Sequence, residues 1–244
     1  MLPRLAAALL MAAGLRGCLT YEYEHEFWLR VDGSGTVNVT GRPELWTAFK
    51  GLGDPGDPKT VTPEAARSLF ARSGLRLRRA VITSRGGRPY LFVSADFPDV
   101  NALSGSAAFP DLRIAVRREG DRLRLLGEWR QPAAHEAPPG ATDGLLAVRF
   151  HLPSKLYEHK NATDGVERGN IVGWRQEVAT ALRGEPLAFG ALMDERSILS
   201  STVVLFGGAI ALAAAILSLG VYAVLRRGRR DLARENGGAG RPRV

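Results

Sequence analysis

The chain has 244 residues, of which 45% are hydrophobic and 24% are charged, and its formal net charge is +8. This composition can support a folded core, which excludes an intrinsically disordered protein. The positive charge lies at the ends: residues 226–244 carry seven Arg and two acidic residues, and Arg4 and Arg16 lie near the N-terminus. Only about one unit of positive charge is left for the middle of the chain, so we expect no nucleic-acid partner.

The N-terminus has the layout of a bacterial signal peptide. Arg4 precedes an Ala- and Leu-rich run, 5–15, that is too short to span a membrane as a mature helix. The tetrapeptide LRGC that follows ends at Cys18, the only cysteine, and is similar to the lipobox of bacterial lipoproteins except at Arg16. We predict a signal peptide over 1–17 and lipidation of Cys18. The alternative is an incidental cysteine in a signal peptide that is cut elsewhere.

Residues 18–196 are predicted to form one exported domain of hairpins with short helices between them. Alternating apolar and polar residues predict strands, Gly- and Asp-rich segments predict turns, and Thr62 followed by Pro63 has the residues of a helix start. In chain order these signals predict strands at 21–31 and 36–40, a helix at 43–50, a loop at 51–59, a helix at 63–74, a hairpin of 75–83 with 89–97, a one-turn helix at 99–103, a hairpin of 112–117 with 123–130, and strands at 145–152 and 170–178.

The order of these elements indicates an α+β fold with a mostly antiparallel sheet of seven or so strands and two or three short helices. Every clear connection has hairpin length, and no alternation of strand, helix and strand is sustained. We expect the chain to leave this domain near Gly190. The four tryptophans are expected in the core or as membrane-facing anchors: Trp28, Trp46, Trp129 and Trp174.

Residues 197–225 contain no charged residue and predict a transmembrane helix, because the run exceeds the thickness of a hydrocarbon core of roughly 30 Å. Four arginines follow, and the positive-inside rule places them in the cytoplasm with the rest of the basic tail, 226–244. They are Arg226, Arg227, Arg229 and Arg230. The chain is therefore predicted to be a single-pass protein of the cell membrane with its N-terminal domain outside the cytoplasm.

Within the predicted membrane helix, small residues recur every four positions at Gly207, Ala211 and Ala215. Such a stripe lets two helices approach closely, which is one route to a homodimer. The alternative interpretation is an Ala-rich span with no packing role.

No pattern of catalytic or metal-binding residues is evident, and we predict neither enzymatic activity nor a cofactor. The four histidines lack the spacing of metal ligands, and no Gly-x-Ser-x-Gly elbow occurs. His151 and His159, with Asp164 and Glu167, form the only polar cluster of note, and a solvated loop is the favoured interpretation. The other two histidines are His25 and His135.

Several short features together resemble the mycobacterial LppM family and related bacterial lipoproteins with a domain of unknown function. These features are Cys18 followed by a strand, the turn at 32–35, the helix after Thr62, Phe97-Pro98 with Leu103, a late strand with Trp174, and a terminal membrane span before arginines. The resemblance implies a compact α+β domain on the outer face of the membrane that binds a lipid or phosphoinositide glycolipid. It brings no catalytic residues.

Two functional hypotheses follow for the exported domain. In the first, it is a non-enzymatic lipoprotein module that binds a membrane lipid or glycolipid through an apolar cavity of its sheet. In the second, it is an envelope assembly or interaction factor that docks on another membrane protein through an exposed apolar patch.

Overall fold

The computed structural model describes residues 21–131, 142–163 and 166–238. The chain divides into two compact units, one up to Glu195 and the other from Arg196 onward. The predicted signal peptide with Cys18 lies outside the described residues, as do His135 and Asp164.

The described residues form eleven strands, four α-helices and two 3₁₀ turns. In chain order these are β1 Tyr23–Leu29, β2 Gly35–Gly41, α1 Pro43–Lys50, a 3₁₀ turn Pro58–Thr60, α2 Pro63–Arg72, β3 Arg76–Arg85, β4 Arg88–Phe97, a 3₁₀ turn Val100–Leu103, β5 Leu112–Glu119, β6 Arg122–Trp129, β7 Leu145–His151, β8 Ser154–Lys160, β9 Val166–Arg168, β10 Ile171–Glu177, α3 Val178–Leu182, β11 Leu187–Ser197 and α4 Ile198–Gly238.

The strands form two sheets with mostly antiparallel pairing, which confirms the predicted α+β class. The first sheet has seven strands in the order β3-β4-β2-β1-β7-β10-β9, and the second has four in the order β5-β6-β11-β8. The strands β1 and β7 pair in parallel, with Tyr23 opposite Leu146. A parallel pair needs a long crossover connection, and here the crossover contains most of the domain.

Local capping signals locate two of the helical segments where the sequence predicted them. The Thr62 hydroxyl accepts a hydrogen bond from the Ala65 amide at 3.2 Å, at the start of α2. The Asp99 carboxylate accepts one from the Asn101 amide at 2.9 Å, at the start of the second 3₁₀ turn. These side chains satisfy amide groups that a helix start leaves without a partner.

Three strands were not predicted. The region that was interpreted as a solvated loop forms β8 and β9, and the C-terminal part of the domain forms β11. The expectation that the chain leaves the domain near Gly190 was wrong, because β11 continues along β6 as far as the pair of Asp194 with Arg122. Strand β11 lies between β6 and β8, so it is an interior strand of the second sheet.

The core of the domain is filled by large aromatic side chains from both sheets and from α1 and α2. The Phe189 ring on β11 lies 5.6 Å from the rings of both Phe150 on β7 and Trp174 on β10. Edge-to-face contact at 4.7 Å joins Phe49 on α1 to Trp129 on β6. Three of the four tryptophans are thus core residues, while Trp28 lies on the opposite face of β1.

The second unit consists mainly of α4, a helix of 41 residues. Its segment Thr202–Arg227 has a mean hydropathy of 2.4 and is long and apolar enough to cross a membrane. At about 1.5 Å per residue the whole helix is roughly 60 Å long, about twice the thickness of a hydrocarbon core. The basic residues after the apolar segment continue the same helix as far as Gly238.

Candidate functional site

The residues that the sequence singled out lie in different parts of the chain. The lipidation candidate Cys18 is outside the described residues. Gly207, Ala211 and Ala215 lie in the apolar segment of α4, and the four predicted topogenic arginines lie at its end and on the following turn. Among the described residues, a methyl group added at Gly207 would meet no atom within 4 Å beyond the backbone of its own helix.

The histidines of the predicted polar cluster belong to different sheets. His151 lies on β7, where its Nε2 is 2.8 Å from Glu26 Oε1 and its ring stacks on Trp28 at 4.6 Å between centroids. His159 lies on β8 of the second sheet. Glu167 belongs to β9. The two histidines therefore lie on different sheets, and the contacts among described residues do not join them in one site.

The outer face of the second sheet carries an exposed leucine between two hollows, and we call it the Leu126 face. Leu126 on β6 is 45% exposed, and its cross-strand neighbour on β11 is Gly190, which has no side chain. A hollow of about 110 Å³ lies on one side of Leu126 and a broader one of about 430 Å³ on the other. The first is lined by Arg124, Leu126, Glu158, His159, Lys160, Gly190, Ala191 and Leu192.

Gly190 keeps the smaller hollow open. A Cβ atom at this position would lie 3.3 Å from Leu126 Cδ2 and 3.7 Å from Lys160 Cβ, so any side chain would fill the space. The backbone of Gly190 does not have a positive φ, and the turn or bulge that usually explains a glycine is absent. Glycine within a strand often marks the close approach of a ligand. Gly190 is thus the one feature of the sequence that could have indicated this hollow, although it was not interpreted in that way.

Cationic side chains surround the apolar centre of the Leu126 face. Arg124 and Lys160 line the smaller hollow and Arg113 lines the larger one. Arg124 pairs with Glu119 at 2.7 Å, whereas no described carboxylate pairs with Lys160. Acidic residues are present too, since Glu158 and Glu128 line the two hollows. The Leu126 face therefore combines an exposed aliphatic group with charged side chains of both signs, and its Arg and Lys side chains can donate charge-assisted hydrogen bonds.

Tyr157 extends the cationic part of this face. The Arg122 guanidinium lies 4.4 Å from the centre of its ring, and the Lys155 ammonium lies 5.4 Å from it. The phenol donates a hydrogen bond to the Asp194 carboxylate at 3.0 Å, which raises the pKa of Tyr157. The phenol is therefore neutral, and its ring contacts both cationic groups.

A second group of ionisable residues lies inside the core, and we call it the Lys50–Asp111 cluster. Lys50 is the last residue of α1, Asp111 immediately precedes β5, and His25 is on the inner face of β1. Lys50 Nζ is 3.0 Å from Asp111 Oδ1 and 3.2 Å from Oδ2, and it donates to the Ala108 carbonyl at 2.7 Å. The Trp129 indole N–H donates to Asp111 Oδ2 at 3.0 Å.

Burial opposes charge on every member of this cluster. The three ionisable side chains have exposures of 4% or less. Burial lowers the pKa of Lys50 and raises that of Asp111, although each group's attraction to the other works in the opposite direction. Burial, with repulsion from Lys50, holds the pKa of His25 well below its usual value. His25 is thus neutral, and the lysine and aspartic acid are both shifted toward their uncharged forms.

Two polar groups beside the cluster have no hydrogen-bond partner among the described residues. These are the Tyr23 hydroxyl and the His25 ring, whose Nε2 lies 3.7 Å from Asp111 Oδ2. The sequence did not reveal the cluster, because Lys50 and Asp111 are 61 residues apart and each resembles an ordinary surface residue at an element boundary.

A third group closes one end of the seven-stranded sheet. The buried Glu22 carboxylate pairs with Arg42 at 3.2 Å and with Arg88 at 2.8 Å, and it accepts a hydrogen bond from the Tyr90 hydroxyl. Burial and this hydrogen bond raise the pKa of Tyr90 to about 12. Arg42 and Arg88 also pair with Asp143, so the group satisfies its own charges and is best explained as a structural clasp.

Within the described residues, no group of three or more His, Cys, Asp or Glu side chains has an arrangement that could hold a metal ion. Comparison of the chain with family models, with curated proteins and with solved structures finds no match in any of the three.

Proposed function

We propose that this chain is a membrane-anchored, non-enzymatic protein of the bacterial envelope whose extracytoplasmic domain binds an anionic lipid or glycolipid on the Leu126 face. The supporting observation is the combination of an exposed leucine, two adjacent hollows and surrounding Arg and Lys side chains on one sheet face. The anionic head would pair with Lys160 and Arg124, and an apolar portion would cover Leu126.

The covalent connection to the membrane helix supports a lipid as the occupant. Eleven residues lie between Gly190 and Thr202, where the apolar segment of α4 begins. The contour length of this connection is at most about 40 Å, even when it is fully extended. A surface on so short a tether meets lipid headgroups at a high effective concentration.

The sequence suggested a ligand cavity inside the sheet, but aromatic side chains fill the space between the two sheets. We therefore place the proposed ligand site on the outer surface of the second sheet. Rings from β7, β10 and β11 contact one another directly between the two sheets, where an internal lipid cavity would have to lie. The hollows that flank Leu126 are open to solvent, and they suit a headgroup with its first apolar atoms better than a fully enclosed acyl chain.

Lipids that co-purify with the detergent-extracted, full-length protein test this proposal. Mass spectrometry of the extract should show one anionic lipid or glycolipid enriched over its share of the membrane. Leu126→Asp removes about 2 kcal/mol of apolar contact and adds charge repulsion, so the enrichment should fall at least about tenfold. Lys160→Glu should weaken it too, because the substitution reverses a charge at the rim.

Ile82→Asp is the matched control for Leu126→Asp. Ile82 lies on β3 of the other sheet and is 46% exposed, against 45% for Leu126, so both substitutions place a charge at an exposed strand position. The control should keep the wild-type lipid profile. Equal profiles for wild-type protein and Leu126→Asp would refute lipid binding on this face. Capture of one specific protein by a photo-crosslinker at position 126, with no lipid adduct, would support the alternative of an assembly factor.

A further inference from the structure

We propose that Lys50 and Asp111 join covalently, as an intramolecular amide between the lysine Nζ and the aspartate Cγ. Such a bond is a modification of the folded chain itself and is independent of the lipid-binding proposal. It would tie the end of α1 to the start of β5, across 61 residues of sequence. The chain contains a single cysteine, so this domain cannot obtain a covalent brace from an internal disulfide.

The geometry of the two groups is that of reactants held in contact. Nζ is 3.0 Å from one carboxyl oxygen of Asp111 and 3.2 Å from the other. With C–O bonds of about 1.2 Å, this places the carboxyl carbon about 3.5 Å from Nζ, with Nζ close to the plane of the carboxyl group, so a rotation of that group brings its face toward the amine before attack. The hydrogen bond from Nζ to the Ala108 carbonyl holds the amine in this position.

Burial lowers the cost of reaching the reactive protonation states. Attack on a carboxyl carbon needs a neutral amine and a protonated carboxyl group, and both are disfavoured in water at neutral pH. Burial lowers the pKa of Lys50 and raises that of Asp111, so moving one proton from the ammonium to the carboxylate costs less here than in water. The Phe109 ring lies 4.5 Å from Nζ and shields the pair from solvent.

The reaction balances within the cluster. The Nζ lone pair attacks Cγ and forms a tetrahedral intermediate, whose Oδ2 is stabilised by the hydrogen bond from the Trp129 indole. Nζ gives one proton to Oδ1, the same oxygen also receives the carboxyl proton, the Cγ–Oδ1 bond breaks, and one water molecule leaves. No oxidant, reductant or activated co-reactant is needed.

His25 is placed to carry the carboxyl proton. Its Nε2 lies 3.7 Å from Asp111 Oδ2, its burial keeps the ring neutral, and neither ring nitrogen has a hydrogen-bond partner among the described residues. A neutral imidazole beside Oδ2 takes the carboxyl proton from that oxygen and returns it to the departing Oδ1, which leaves Oδ2 as the carbonyl oxygen of the amide.

The existing hydrogen-bond partners satisfy the product. An amide between the two side chains has one N–H and one carbonyl oxygen. The N–H retains the Ala108 carbonyl as its acceptor, and the carbonyl oxygen retains the Trp129 indole as its donor. Two opposite buried charges are thereby replaced with a neutral group that has both partners, which relieves the cost of keeping ions in the core.

Tryptic mapping of the denatured full-length protein tests the bond directly. Trypsin does not cut after an acylated lysine, nor before Pro43 and Pro89. A linked chain therefore releases a branched peptide of segments 31–59 and 86–113, lighter by one water molecule than the two together. An unlinked chain releases 31–50, 51–59 and 86–113 separately. Because the readout is on denatured wild-type protein, recovery of only the separate peptides overturns the proposal.

Two variants test the residues that the bond joins. Lys50→Arg keeps a cation but cannot form the amide, so the branched peptide should disappear. Asp99→Asn alters another aspartate of segment 86–113 and should leave the branched peptide in place, and fragmentation of that peptide should locate the link at Asp111, since a link at Asp96 would give different fragments. A succinimide at Asp32-Gly33 would also make a peptide lighter by one water molecule. Trypsin would still cut after Lys50 in that case, which distinguishes the succinimide from the amide.

His25→Gln tests the proton carrier. In cells sampled at intervals after a pulse of synthesis, the branched fraction should rise at least about tenfold more slowly than in wild-type protein, as expected when a general base is lost. An unchanged rate would remove His25 from the mechanism. A branched peptide in Lys50→Arg would overturn the assignment to Lys50.

Discussion

Replacing Asp96 with Asn should destabilise the domain at neutral pH, and the loss should shrink in acid. Asp96 lies on β4 and ties together the three strands at one edge of the seven-stranded sheet. Its carboxylate accepts hydrogen bonds from Arg76 on β3 at 2.7 Å and from Thr36 on β2 at 2.9 Å, and it pairs with Arg78 at 2.7 Å. Partial burial raises its pKa, but the hydrogen bonds from Arg78, Arg76 and Thr36 outweigh this and lower the pKa to about 2.

The magnitude follows from the difference between the folded and unfolded pKa values. A drop from 3.8 to about 2 corresponds to about 2 kcal/mol of stability at pH 7. The Asp96 side chain is 14% exposed, whereas the Arg76 and Arg78 side chains are 82% and 51% exposed, so solvent screening makes this an upper figure. A carboxyl with a depressed pKa stabilises the fold above its unfolded pKa, and the contribution fades as the pH falls from about 4 to about 2.

Thermal unfolding of the full-length protein in a neutral detergent, followed by tryptophan fluorescence, measures this effect. Asp96→Asn should lower the melting temperature by roughly 4–8 °C at pH 7 and by about half as much at pH 3. The matched control is Asp121→Asn, because the Asp121 side chain is 96% exposed. It should change the melting temperature by less than roughly 1 °C. A deficit of equal size at both pH values would refute the electrostatic origin of the effect.

Three further outcomes are expected. Trp174→Ala empties a fully buried site between the sheets and should lower the free energy of unfolding by about 3–5 kcal/mol. Chemical denaturation measures this value, and a loss below about 1 kcal/mol would contradict the packing described for this core. Cys18→Ala should leave a precursor of higher mass that α4 still retains in the membrane fraction, and an unchanged mature mass on mass spectrometry would exclude lipidation. A reporter enzyme fused behind Val244 should be active only in the cytoplasm, and activity outside the cytoplasm would reverse the proposed orientation.

Elements with local signals could be predicted from the sequence, and elements without them could not. The helix Pro43–Lys50 was predicted to the residue, because a proline start, an apolar side and a following glycine all act within a few positions. Strand β8 was missed because five of its seven residues are exposed, which leaves no alternation of buried and exposed positions to detect. Strand β11 was missed because Gly190 interrupts its apolar pattern.

The candidate sites were less predictable than the fold, because each depends on residues that are distant in sequence. The Leu126 face needs β6 beside β11, and Leu126 and Gly190 are 64 positions apart. The charge of Lys50 gave no indication that its ammonium lies against Asp111 in the core. A single sequence carries information about neighbours within a few residues, whereas these contacts arise only when the sheets pack.

The sequence by itself therefore determined the features that depend on short-range chemistry. These are the hairpin turns, the capped helices, the α+β class and one helix that is apolar enough to cross a membrane. The tertiary structure alone decided that the strands divide into two sheets, that β1 and β7 run parallel, and that Lys50 and Asp111 meet. The physical reason is that burying the aromatic rings of both sheets against one another selects one arrangement among the many that local propensity allows.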